Sequence, residues 1–146
     1  MLFRSTGEEH FINFKSTVFR DKTNDNLNAK AGLLLAFTDI PVGEIGKKSS
    51  SYKKIIDCLI TNKADINRDY YYIVFDKFSD KYLFTSLRNI DNLTSNGNNP
   101  PFQCRWALHN PLTNLNRTFE DSRNYVLSRF QKSLEKRAEE IGRAHV

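Results

Sequence analysis

Glu9-His10-Phe11-Ile12-Asn13-Phe14-Lys15-Ser16-Thr17 is the stretch around which the rest of the chain is organised. Its apolar and β-branched content predicts a strand buried in a sheet. Side chains on a strand alternate faces, so Asn13, Lys15 and Thr17 point one way and Ile12, Phe14 and Val18 the other. A lysine at the centre of an apolar strand loses hydration, and an amide two residues before it has to find partners. Local patterning breaks most visibly where function requires it, so the pair marks a candidate site.

With 146 residues the chain makes one domain at most, and we expect a single domain over 1–146 with a real core. Hydrophobic residues at 39% and charged residues at 27% describe an ordinary soluble globular chain rather than a disordered one. No apolar run approaches the roughly 20 residues of a membrane helix, and the N-terminus lacks a signal-peptide pattern. A cytoplasmic location and no membrane partner are expected. Cys58 and Cys104 lie far apart in apolar surroundings and read as buried thiols, not as zinc ligands. The net charge is +5, and its placement says more than its size. Lys15, Arg20, Lys22 and Lys30 are interleaved with Asn24, Asn26 and Asn28. Basic side chains serve phosphates, and asparagine can both donate to and accept from base edges.

Further along, Ala31 to Phe37 favours helix, and Thr38-Asp39-Ile40-Pro41 stops it. Gly43 to Ser51 reads as a connector. Tyr52, Ile55, Ile56, Leu59 and Ile60 recur at helical spacing behind a serine cap. Tyr70–Asp76 and Lys81–Leu87 are strand candidates joined by a short hairpin turn, their aromatics assigned to core and cross-strand packing. Arg88 to Pro101 is polar and predicted to be loop, with Asn98 and Asn99 beside paired prolines. Phe102 to Leu108 reads as a strand that places Gln103 and Arg105 between apolar residues. Thr118-Phe119-Glu120-Asp121 opens a long helix with a capping-box-like start. Phe119, Val126, Leu127, Phe130, Leu134 and Ala138 trace its apolar face.

Asn13-Phe14-Lys15 resembles the second half of the PD-(D/E)xK signature, in which a carboxylate, one spacer and a lysine share a central strand. The acid is replaced here by an amide, and no upstream Asp precedes it. Together with the order of elements, and with Pro101–Trp106 running on to Arg117–Glu120, this looks like the C-terminal two-thirds of a blunt-cutting type II restriction endonuclease. The resemblance implies an α/β (α+β) fold, a mixed central sheet flanked by helices, truncated at the N-terminus. It implies Mg²⁺ as cofactor, Lys15 as catalytic lysine, and Asn13 in a catalytic, metal-ligand position. Thr17, Arg20, Asn24, Asn26 and Lys30 would lie toward double-stranded DNA, as would Asn98, Asn99, Gln103 and Arg105. A homodimer is expected, because a two-fold symmetric duplex target is cut by two matched sites.

Three readings follow. The first is an Mg²⁺-dependent DNA endonuclease or its remnant. In it the metal lowers the pKa of a bound water and neutralises charge on the phosphate. The second is a catalytically inactive DNA-binding module or partner subunit using the same basic and Asn-rich loops. The third is a structural domain in which Lys15 pairs with Glu8 or Glu9.

Overall fold

The computed structural model describes residues 2–5, 8–19, 24–108 and 117–144, with side chains described within 10–19, 24–108 and 117–142. Its fold is mixed α+β. The chain forms two compact units, Met1–Ser16 with Ala29–Arg88, and Thr17–Asn28 with Asn89–Val146. The strands divide between two small sheets instead of forming one central sheet.

The first unit carries strands β1 (Leu2–Ser5), β2 (Glu8–Thr17, whose last residue belongs to the second unit), β4 (Tyr70–Asp76) and β5 (Tyr82–Ser86) in the order β1-β2-β4-β5. The β1–β2 and β4–β5 pairs are antiparallel, with Phe75 opposite Tyr82 and Ile73 opposite Phe84. Helices α1 (Lys30–Phe37), α2 (Val42–Lys48) and α3 (Tyr52–Thr61) complete it. The predicted hairpin is there, and so is the serine cap: Ser51 accepts from the Lys54 N–H at 3.2 Å. Ile55, Cys58 and Leu59 turn inward from α3 at the spacing of one helical face.

Two expectations change. The span from Gly43 to Ser51 is not a connector, because Val42–Lys48 is helical. Glu44 in its first turn and Lys47 and Lys48 in its last match the helix dipole, which offsets the cost of two glycines. Strand β2 is also not buried on both sides. Phe14 is 43% exposed, so only the face bearing Asn13 and Lys15 is turned toward the covered side of the sheet.

Helix α1 is the core of this unit. Every residue from Gly32 to Phe37 is buried, and the helix packs against α2, α3 and β4. A helix that ends in the interior leaves its last carbonyls without water. Two arginines at the ends of the hairpin supply the donors. Arg68 reaches the carbonyls of Leu35 (2.9 Å), Ile40 (2.7 Å), Leu34 (3.2 Å) and Thr38. Arg88 donates to Ala36 through Nε (2.9 Å) and Nη2 (2.7 Å), and holds the Asp65 and Ile66 carbonyls at 2.7 Å each. Burial lowers the pKa of both guanidinium groups.

The second unit is built on strands β3 (Asp25–Leu27), β6 (Leu93–Thr94) and β7 (Phe102–Cys104), in the order β3-β7-β6 with both pairs antiparallel. A 3-10 turn (Trp106–Leu108) and the long helix α4 (Phe119–Ala144) follow. The predicted strand Phe102–Leu108 thus ends at Cys104. The predicted loop Arg88–Pro101 contains β6, and the polar stretch before α1 contains β3. Helix α4 starts as predicted, with Thr118 Oγ1 accepting from the Asp121 N–H at 3.1 Å. Its buried stripe is Ser122, Val126, Phe130 and Ser133, while Ala138 is exposed. The loop before β7 lies flat on this helix. A Cβ at Gly97 would come within 2.9 Å of Lys136 Cβ and 3.1 Å of the Arg137 backbone nitrogen.

Cys58 and Cys104 are both buried. Among the described residues no helix is long and apolar enough to cross a membrane.

Candidate nucleic-acid interface

Strand β7 alternates Phe102 and Cys104, both buried, with half-buried Gln103 between them. The register sets Gln103 directly opposite Asn26 on β3 and Thr94 on β6. These three side chains therefore form a polar row across one face, while Leu27, Phe102, Cys104 and Leu93 are buried. Hydrogen bonds run along the row. Gln103 Nε2 donates to Asn26 Oδ1 at 2.9 Å, and Asn24 Nδ2 donates to Gln103 Oε1 at 3.1 Å and Thr94 Oγ1 at 3.0 Å. Asn96 Nδ2 joins at Asn26 Oδ1, 3.0 Å away.

An amide carries two N–H donors and two acceptor lone pairs. Among the described residues Gln103 uses one of each within the row, leaving one N–H and one lone pair of its amide outside it. A donor beside an acceptor on one planar group is the pattern with which Asn and Gln read adenine, and the major groove admits a small β-ribbon. Arg105 follows two residues on. Its Nε is buried and makes no hydrogen bond among the described residues.

Asn24, Asn26 and Gln103 were all expected to face DNA, and one network holds them together. Asn98 and Asn99 are exposed beside it, their backbone N–H groups donating to Asn96 Oδ1 at 3.0 and 3.4 Å. Thr94 and Asn96 are members the sequence did not single out. They sit in a span predicted to be loop, and a two-residue strand leaves no periodic signal. Arg20 and Lys22 lie outside the described residues. Thr17 is buried at the end of β2.

Asn13, Lys15 and Lys30 belong to the first unit. Lys30 sits over the Tyr52 ring, 4.6 Å from its centroid, a cation–π contact that ties α1 to α3. Asn13 and Lys15 share a strand face, and Asn13 Nδ2 donates to the Tyr70 hydroxyl at 3.0 Å. That ring is itself held against α1, where a Cβ at Gly32 would lie 2.6 Å from it.

The donor set does not suit Mg²⁺, which takes carboxylate and phosphate oxygens at octahedral positions. Asn13 offers one neutral amide oxygen. Among the described residues no group of three or more His, Cys, Asp or Glu side chains is arranged to hold a metal ion.

No family model, no curated protein and no solved structure matches the chain.

Proposed function

We propose that this protein binds double-stranded DNA, with the amide row of β3, β7 and β6 reading base edges and arginines of the same unit meeting phosphates. The observation that carries the reading is the row itself: Asn26, Gln103 and Thr94 in cross-strand register, with Asn24 and Asn96 bonded into it. Among the described residues, Gln103 keeps one donor and one acceptor of its amide outside the row's own bonds. The net charge of +5 and a pI near 9.2 suit a polyanionic partner.

The resemblance to PD-(D/E)xK endonucleases extends the same proposal to cleavage, with Lys15 near the scissile phosphate. Support for that half is the shared strand face of Asn13 and Lys15, and the donor set weighs against a bound ion. Binding without hydrolysis is therefore the form of the proposal that the geometry favours.

One observation favours a second reading. The amides bond chiefly to one another, and strands of two and three residues gain from such cross-strand ties. The row would then only brace the sheet. Gln103→Ala separates the two. If the row reads DNA, the variant loses about 1–3 kcal/mol of discrimination between duplex sequences, as for one bidentate contact. Fluorescence anisotropy against a selected duplex and a random-sequence pool measures this, and thermal melting reads the brace. A lower thermal midpoint with unchanged discrimination would show that the row is structural only.

A further inference from the structure

Alternation along β4 turns Tyr72 and Val74 inward and leaves Tyr71, Ile73 and Phe75 on the opposite face of the four-stranded sheet. On β5 the matching outward pair is Tyr82 and Phe84, with Leu83 and Thr85 buried. Ring contacts on this face link three strands in two groups. His10 on β2 meets Tyr71 edge-on at 5.8 Å, Tyr71 stacks on Phe84 at 5.6 Å, and Phe75 lies 6.2 Å from Tyr82. Exposure is large for such residues: Phe14 43%, Phe75 44%, Phe84 53%, Tyr82 66%, and Phe78 in the hairpin turn 68%. The strand rings fall inside patterns that also fit a core, so sequence alone does not turn them outward.

We propose that this aromatic face is a self-association surface that takes a second copy of the chain, face against face about a two-fold axis. Two observations select that occupant. The first is area. At about 200 Å² per aromatic side chain, the exposed parts of these five rings amount to roughly 550 Å² per copy. Two apposed copies would remove at most about 1,100 Å² from water, which clears the roughly 1,000 Å² floor of a biological interface and suits a weak, concentration-dependent dimer. A patch of this size lies at the upper end of what monomers expose, roughly 300–600 Å², and such patches are often functional.

The second observation is charge. The hairpin at the edge of the face carries Asp76 and Asp80 beside Lys77 and Lys81, so its charges cancel. A single-stranded nucleic acid stacking on the rings would call for a basic groove along them. A neutral, self-complementary rim fits an identical copy instead. The inference does not rest on the amide row, which lies in the other unit.

Sedimentation velocity on the full chain, from about 1 to about 100 µM, tests it. The wild type is expected to pass from monomer to dimer across that range. Phe84→Glu and Tyr82→Lys are each expected to weaken the dimer at least about tenfold, as loss of a central aromatic does. Tyr82 is the most exposed ring of the strand face, so Tyr82→Lys keeps the test valid if circular dichroism shows that Phe84→Glu does not fold. A wild type that stays monomeric throughout overturns the proposal, and so does a dimer that both folded variants leave unchanged. A monomer whose tyrosine fluorescence is saturably quenched by an oligothymidine, with quenching lost in Tyr82→Lys, overturns it in favour of a single-stranded nucleic acid.

Discussion

Asp69 precedes β4 and carries a carboxyl that burial pushes above the ordinary carboxylate range. The Ser86 side chain, the Tyr70 N–H at 2.7 Å and the charge of Arg88 all act in the opposite direction without outweighing it. An acid whose folded pKa lies above its unfolded value holds its proton better in the folded state. Its contribution to stability is complete below the unfolded value, about 3.9, and fades as pH rises through the folded value. Melting curves of wild type and Asp69→Asn across that interval should show the wild type losing ground to the variant as pH rises from about 4, then levelling off. A gap that moved in favour of the wild type would mean that Arg88 and the hydrogen bonds outweigh burial. Gly97 makes a steric demand of a different kind. Because the neighbour of its missing Cβ is the backbone of α4, little can give way, and Gly97→Ala should cost about 1–3 kcal/mol by denaturant unfolding. A neutral substitution there would show that the loop can lift from the helix.

Among the elements, α1 depends most on residues distant in sequence. Its interior C-terminus draws on Arg68 and Arg88, which bracket the β4–β5 hairpin and so tie helix to sheet. Arg68→Ala would leave several interior carbonyls without donors. A loss of about 2–4 kcal/mol in chemical denaturation is expected, with Arg68→Lys recovering only part because it lacks the planar fork. Recovery of full stability by lysine would show that charge alone suffices. Nothing local in the sequence marks either arginine, since the need arises only once the helix is buried end-on. The same holds for β3 and β6: strands of three and two residues are too short for a period, and pairing with β7 defines them, with Asn26 tied to Gln103 and Thr94 to Asn24. Longer elements were legible. Helix α3 showed its apolar spacing, α4 its cap, and the β4–β5 hairpin its β-branched and aromatic runs. Their faces were not fully legible. The aromatics of Tyr71, Phe75, Tyr82 and Phe84 fit a core pattern yet point outward, and Ser122 and Ser133 fill a stripe that apolar spacing alone would not give them.

At the scale of the whole molecule, the proposed recognition of duplex DNA combines a basic chain with an amide row. Phosphate contacts and base contacts make separable contributions. Neutralised phosphates release counterions, so affinity should fall with salt at a log–log slope of about −0.9 per phosphate whatever the sequence. Base contacts should add discrimination that salt alters little. The most direct measurement is duplex anisotropy across a salt series for wild type and Gln103→Ala together. Both proteins should show the same slope, about −3 or steeper if three or more phosphates are engaged, with sequence preference reduced only in the variant. Failure of the wild type to bind duplex DNA even at low salt would contradict the proposal outright.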